Sequence, residues 1–445
     1  MNGKFRTLAI DLGASSGRGI VFEFQDEKYS EKTVHRFPNG AIEKNGQLQW
    51  DIAMLFEQVC EAIRIANKEC GKLDAVGIDT WGVDIGFIGK DGEILGNPIC
   101  YRDSSHAEIR REFSEYAKDL YSISGISDND FNTTYQLLAR KREGFDFSQV
   151  KHILFMPQLI GYMLTGKAAT EATIASTSGF YRQNKGFEQG FLDWVGLDKT
   201  VFPPVLRTGE RIGYIKDEIR ERLGITYDLP VVATPGHDTA CAVYTLPRDN
   251  SHPLYLSSGT WSLFGTLEDE PIICKEAFEI GYTNELSADG RVRFLRNIMG
   301  MWIIQECRKQ WIKEYGEISF EEIVRLAQNA QDKGAIIDVN DSAFAYPGIM
   351  SDKVRDYIRE KQGIDLQSVG EIALCVYASL AKAYKVAYDG LIKITGRKYE
   401  VLYVVGGGSN NAFLNTLIEK ELGIKVVKGE SEASALGNAM GCIER

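Results

Sequence analysis

Asp11-Leu12-Gly13-Ala14-Ser15-Ser16-Gly17-Arg18 follows the apolar run Leu8-Ala9-Ile10 and leads into Ile20-Val21-Phe22. Much later, Ser257-Ser258-Gly259-Thr260-Trp261-Ser262 sits in the same way between Leu254-Tyr255-Leu256 and Leu263-Phe264. Each stretch reads as strand, Gly/Ser turn, strand. A hairpin of this kind, made twice in one chain, points to two related lobes. Between the two lies Gly236-His237-Asp238-Thr239, a carboxylate in a glycine-flanked turn after the strand-like Pro230-Val231-Val232-Ala233-Thr234. The arrangement suggests two lobes gripping a nucleotide with a base set between them.

The rest of the chain fits an α/β protein. Ile52, Leu55, Phe56, Val59, Ala62, Ile63 and Ala66 recur at helical spacing behind Asp51, a plausible N-cap. A helix opened by Pro157 is expected to stop at Thr165-Gly166. Residues 106–200, 298–330 and 368–395 read as largely helical, and a last helix starts near Ala433. The polar loop 247–253, with a proline at each end, is the best boundary, which divides the chain into 1–246 and 247–445, with the terminal helix free to pack back on the first lobe.

At 445 residues, two or three domains are expected. A net charge of −11 argues against non-specific binding to nucleic acid or anionic membrane. Eight cysteines without a C-x-x-C pair and five scattered histidines give no zinc spacing. Buried thiols in a reducing cytoplasm are expected instead. The start reads as a strand soon after Met1, with no expected signal peptide, and no apolar run approaches the ~20 residues of a membrane span.

Successive backbone N–H groups in a turn like 11–18 form an anion-binding concavity. Asp11, closing the strand, offers a carboxylate to Mg²⁺ through water, and Arg18 offsets phosphate charge. No Gly-Lys-Ser/Thr follows, so this is not a Walker loop. Thr260 brings a hydroxyl to the second turn, and Gly406-Gly407-Gly408 lets a flat base or ribose press on the backbone. Each of these turns also reads as plain hairpin or strand–helix packing. Asp238 suits a general base taking a proton from a hydroxyl, or a cap for the helical Ala240-Cys241-Ala242-Val243. Thr80-Trp81-Gly82-Val83-Asp84 combines an aromatic, a bare glycine and a carboxylate, a mix that recognises sugars, although core packing explains Trp81 equally well. Tyr101-Arg102-Asp103 is a second polar turn for the same cleft or a surface ion pair.

Taken in order, these segments resemble the FGGY carbohydrate kinases of the actin-like ATPase superfamily. Also carrying the likeness are Arg293-Phe294-Leu295-Arg296-Asn297-Ile298-Met299-Gly300-Met301-Trp302-Ile303-Ile304-Gln305-Glu306 and Ala435-Leu436-Gly437-Asn438-Ala439. The resemblance covers essentially the whole chain and is strongest to the branch that phosphorylates L-rhamnulose at O1. It implies two ribonuclease-H-like lobes around a central cleft, with ATP and Mg²⁺ as reaction partners. By resemblance, Ala14, Ser15, Ser16, Gly17, Arg18 and Thr260 contact ATP phosphates, and Gln305 and Gly407 the nucleoside. Gly82, His237, Asp238, Thr239 and Asn297 line the sugar site, with Asp238 the proton acceptor.

Three departures concern the sugar more than the reaction: Leu286-Ser287 replaces Gly-Gly, Gly429-Glu430-Ser431 replaces a Gly-Pro pattern, and Ser104 replaces an acid. Rival readings are a kinase for L-fuculose or L-xylulose, a filament-forming actin-like protein, and a non-catalytic sugar sensor. A small-molecule ketose and ATP are the expected partners, without nucleic acid or membrane, and the oligomeric state stays open.

Overall fold

The computed structural model describes residues 4–26, 28–183, 185–248 and 250–443. The start of the chain at 1–3 and position 249 of the boundary loop lie outside the described residues. Two compact units emerge. One comprises Met1–Thr245, Glu268–Arg293 and Ala433–Arg445; the other comprises Leu246–Leu267 and Phe294–Glu432. The compact units depart from the expected division at 246/247 in residues 268–293, which belong with the first; the terminal helix belongs there too.

In the first unit, Phe5–Leu12 is a central strand, buried on both faces from Thr7 onward. It pairs antiparallel with Ser16–Gln25, which pairs with Lys28–Pro38. On its other side it runs parallel to Ala75–Thr80, which runs parallel to Pro230–Val232, with Arg211–Tyr214 at the edge. The helix Ile52–Cys70 is capped by the Asp51 side chain, which accepts from Met54 N–H, and buries six of the seven expected apolar residues; Phe56 stays half-buried. Met156–Thr165 starts with proline in its first turn and ends at Gly166 in the left-handed conformation, as glycine permits there.

In the second unit, Leu254–Ser258 holds the equivalent central place. It pairs antiparallel with Trp261–Glu268 and parallel with Val401–Val405, which runs parallel to Lys425–Lys428. Val292–Met299 follows Trp261–Glu268 in the sheet. Leaving aside one edge strand in each (Arg211–Tyr214 in the first, Tyr282–Leu286 in the second), both sheets share one order counted from the hairpin: third, second, first, fourth, fifth strand. This is the ribonuclease-H-like arrangement, present twice. Strand occupies 292–299, where the sequence suggests helix near its end; helices follow at Trp302–Tyr315 and Phe320–Gln328.

The terminal helix Ala433–Gly441 seals the first sheet: Ala435, Leu436 and Ala439 pack with Ala9, Ile20 and Phe22. Its Gly437 crosses the helix Asp238–Tyr244 so closely that an added Cβ would lie 1.9 Å from the Cys241 carbonyl oxygen. Only glycine fits there.

Candidate active site

Strand register places the first acidic residues. Asp11 lies opposite Arg18 across the hairpin and opposite Asp79 across the parallel pair. The Arg18 guanidinium donates to Asp11 Oδ2 through Nε at 3.0 Å and Nη2 at 2.6 Å. Arg18, expected at phosphate, therefore has its fork on Asp11. Asp79 is fully buried; its Oδ1 accepts from Asn438 Nδ2 at 2.5 Å, and its Oδ2 has no hydrogen-bond partner. Burial and the neighbouring Asp11 raise the Asp79 carboxyl well above its ordinary range. Asn438 also donates to the Ile10 carbonyl at 3.3 Å, tying the terminal helix to the strand that ends in Asp11.

The first turn presents Ser15 and Ser16 at the surface and Ala14 half-buried. Asn39 clamps it, donating from Nδ2 to the Gly13 carbonyl (2.8 Å) and from its backbone N–H to the Ser15 carbonyl (3.1 Å). Gly17 is buried, and a Cβ there would stand 2.1 Å from the Phe37 ring. Its missing side chain thus serves packing, whereas sequence reasoning assigned it to phosphate approach.

Asp238 begins the helix Asp238–Tyr244, with His237 at the cap position. Its Oδ1 accepts from Thr239 N–H at 2.6 Å and lies 3.3 Å from His237 Nε2. Desolvation raises its carboxyl from the usual aspartate value; His237 opposes this and the Asp11 charge adds to it. The turn before it is held by buried Glu171, whose Oε2 accepts from Gly236 N–H at 2.9 Å while the same carboxylate caps Thr173 and Ile174. Thr80 N–H donates to the Gly236 carbonyl at 2.9 Å, so the strand ending at Thr80 and the His237 turn advance together.

That juxtaposition brings Gly82 to His237: a Cβ on Gly82 would lie 3.4 Å from Nε2. Next to it, Val83 has φ +67°, a costly conformation for a β-branched residue. It is clamped by Thr177 Oγ1 on its N–H and by Thr133 Oγ1 on its carbonyl. Trp81 and Asp84, expected to read a sugar, turn inward instead. Asp84 is 1% exposed, and its carboxylate accepts from Trp50 Nε1 (2.6 Å), Trp81 Nε1 (2.9 Å), Gln136 Nε2 (2.8 Å) and Tyr101 N–H (3.2 Å). Asp103, offered as cleft-facing, caps the helix Ser104–Glu112 and accepts from Leu48 N–H. Gly82, His237, Asp238 and Thr239 are thus gathered in the first unit with Asp11.

The second unit gathers the nucleotide candidates. The Gly259-Thr260 turn docks on the start of the helix Trp302–Tyr315: Met301 N–H donates to the Gly259 carbonyl, and Gly300 and Trp302 N–H to that of Thr260. Thr260 Oγ1 donates to Gln305 Oε1 at 3.3 Å, which brings those two candidates together. Gly406 has φ +82°, and a Cβ on Gly408 would sit 2.0 Å from Ser258 Oγ. Gly407, between them, is exposed, has no positive φ and has nothing within 4 Å of its Cβ position. The positive φ and the close packing belong to its neighbours. Asn297 is half-buried on the strand Val292–Met299, in the second unit, while the other four sugar candidates are in the first.

Sequence reasoning did not single out Asn39, Glu171, Asp79, Glu285, Arg293 or Asn438 as members of these sites. Glu171-x-Thr173 carried a local capping signal. The others act on residues distant in the chain. Among the described residues, no group of three or more His, Cys, Asp or Glu is placed to hold a metal, and all eight cysteines are free.

The profile of the FGGY family of carbohydrate kinases matches with its N-terminal domain over residues 6–244 and its C-terminal domain over 254–443. The chain belongs to this family. It is 36% identical to a rhamnulokinase of Bacteroides thetaiotaomicron over 97% of its own length and 89% of that relative. It is 38% identical to a rhamnulokinase of Enterococcus faecalis over 97% and 88%. The fold is similar to a ligand-bound xylulose kinase from Lactobacillus acidophilus (TM-score 0.77, 20% identity, 98% of this chain and 88% of that one). It is also similar to Plasmodium falciparum glycerol kinase with ADP (TM-score 0.73, 16% identity, 98% and 88%). The family match favours a phosphotransferase acting on an alcohol group over the filament and sensor readings. Leu286, where the branch usually carries glycine, is buried in the kinase's first unit. Its N–H donates to Ser176 Oγ and its carbonyl accepts from Arg293 Nε.

Proposed function

We propose that this kinase transfers the γ-phosphoryl group of ATP to O1 of L-rhamnulose, in the cytoplasm, with Asp238 as general base. The observation that carries the reading is Asp238 itself, within electrostatic reach of Asp11 at the first hairpin turn and beside His237, whose ring has Gly82 against it. The rhamnulokinase relatives, matched over nearly their full length, support the choice of sugar.

In this reading the ketose O1–H proton passes to an Asp238 carboxylate oxygen. The oxygen's freed pair forms the bond to the γ-phosphorus as the bond to the β-bridging oxygen breaks and ADP leaves. Gly82 offers a surface free of side chain beside His237, and Thr239 N–H holds Asp238 Oδ1 in place. Ala14, Ser15, Ser16 and Thr260 present turn backbone and hydroxyls to phosphate, and Gln305 and Gly407 face the nucleoside.

Three mutually repelling carboxylates (Asp11, Asp79 and Asp238), one with an unpartnered buried oxygen, fit a nearby divalent cation. Asp11 would hold Mg²⁺ largely through water, as an ion that takes few carboxylates is held. When bound, Mg²⁺ offsets charge on the β- and γ-phosphates.

ADP release measured across a panel of ketoses tests the reading. Turnover highest with L-rhamnulose is expected. Faster turnover of L-fuculose or L-xylulose reassigns the substrate, and no ketose-dependent ADP release overturns the kinase reading.

A further inference from the structure

Behind His237, on the side away from Asp238, lies a buried ion pair that the proposed reaction does not use. Arg293 is wholly buried, an expensive place for a guanidinium without partners. Its Nη2 lies 3.0 Å from Glu285 Oε2 and 3.0 Å from His237 Nδ1, and its Nε donates to the Leu286 carbonyl at 2.9 Å. Glu285 Oε2 is itself 3.2 Å from His237 Nδ1. The Arg293 cation, with the His237 ring beside it, holds the Glu285 carboxyl below its usual range despite burial, so it remains an anion matched to Arg293.

His237 Nδ1 thus faces a donor and an acceptor, and a ring nitrogen can satisfy only one of them. Arginine only donates and does not lose its proton. With Nδ1 accepting from Arg293 Nη2, the neutral ring carries its proton on Nε2, 3.3 Å from Asp238 Oδ1. With Nδ1 donating to Glu285, a neutral ring would turn a lone pair toward the Asp238 carboxylate and repel it. The first arrangement opposes only the Nδ1 lone pair to Glu285 Oε2, an oxygen held by the Arg293 charge; the second opposes two contacts, Arg293 Nη2 against Nδ1–H and the Nε2 lone pair against Asp238.

We propose that Arg293, balanced by Glu285, is a positioning residue that fixes His237 in its Nε2–H tautomer, so that the ring donates to Asp238 and holds its carboxylate toward the substrate hydroxyl. This rests on the reading of Asp238 as the base. Arg293 touches neither substrate nor reacting atoms; it works through His237, 56 residues away in sequence. Charge balance explains Glu285: without it, a buried cation next to the imidazole would stand uncompensated.

Two double variants test the idea while avoiding an unpaired buried charge. E285Q/R293M removes both charges and the donor to Nδ1. E285Q/R293Q removes both charges and keeps a side-chain amide N–H donor at this position. With folding checked by thermal melts, E285Q/R293M is expected to lose roughly ten- to hundredfold in kcat at unchanged KM for ATP, the scale of a misaligned reacting group. E285Q/R293Q is expected to recover most of that loss. Equal kcat for the two variants would overturn the proposal.

A second measurement needs no variant to be active. Nitrogen-15 spectra of the histidine-labelled wild-type protein, with the His237 signal assigned by its absence in His237→Gln, report the tautomer directly. A neutral ring protonated at Nε2 supports the proposal, and a proton on Nδ1 overturns it. Asp238→Asn assayed alongside separates the two levels: an active Asp238→Asn removes the base reading itself. An inactive one, with the two double variants alike, removes only the role of Arg293.

Discussion

Three consecutive glycines after the strand Val401–Val405 have different physical duties, and substituting them one at a time should separate fold from ligand. A Cβ on Gly408 would meet Ser258 Oγ at 2.0 Å, Ser258 Cβ at 2.7 Å and the Ser258 carbonyl oxygen at 2.9 Å. Rotating the Ser258 hydroxyl relieves only the first contact; Cβ and backbone must yield as well. Ser258 ends the central strand of its sheet, so relief means parting two packed segments by about 1 Å or more, and overpacking of this kind costs ~1–3 kcal/mol. For a unit of this size, where each kcal/mol lowers Tm by ~2–4 °C, Gly408→Ala should melt roughly 2–12 °C lower.

Gly407→Val is the contrast. Its Cβ enters open space, so the melting temperature should stay close to wild type. In the proposed nucleotide site that open space belongs to the nucleoside, and a branched side chain there should weaken ATP about tenfold or more, at least ~1.4 kcal/mol, with ketose affinity unchanged. Calorimetric titration with each ligand, beside thermal melts of both variants, provides the assay. Wild-type ATP affinity in Gly407→Val would place the nucleoside elsewhere. A wild-type melt for Gly408→Ala would refute the packing argument.

Further outcomes follow from other sites. Asp238→Asn should lose ~10²–10⁴-fold in kcat with ATP affinity retained, measured by coupled assay and titration; near-wild-type turnover removes it from the mechanism. Because the Asp238 carboxyl titrates above the ordinary aspartate value and only its ionised form accepts a proton, kcat/KM should fall with decreasing pH, with an inflection above that of a free aspartate; a flat acidic limb down to pH ~4 contradicts this. Burial pushes Asp84 up to about 7 against its N–H donors, from an ordinary value of 3.8. Its folded pKa being raised, its stabilising contribution is full below about 3.8 and lost as pH rises through about 7. Wild type should therefore lose ~2–3 kcal/mol more than Asp84→Asn between pH 5 and 7 in denaturant melts, and parallel curves would refute the shift. Gly437→Ala, with its Cβ 1.9 Å from a backbone oxygen, should destabilise the first unit by ~1–3 kcal/mol and lower kcat as Asn438 moves away from Asp79 and Ile10; an unchanged melt would mean the two helices can part freely.

The sequence by itself determined what is local. Each hairpin shows in a run of alternating or wholly apolar residues broken by Gly and Ser, and hairpin pairing needs no information beyond its own twenty residues or so. The helix behind Asp51 and the stop at Gly166 rest on caps within one turn of the chain. The candidate base was visible because a carboxylate between glycine and threonine after a strand is conspicuous. Tertiary structure decided the rest. The shared strand order, the return of the terminal helix to the first sheet, and the inclusion of 268–293 in the first unit depend on contacts made across hundreds of residues. Asp84 looked available to a sugar, yet Trp50 and Gln136, 34 and 52 residues away, seal it inside. Asn438 reaches Asp79 across 359 residues, and Arg293 reaches His237 across 56. Hydrogen bonds and ion pairs are short-ranged in space and indifferent to chain separation. Periodicity and turn chemistry can therefore name the residues that carry a reaction, while the residues that hold them in place appear only once the chain is folded.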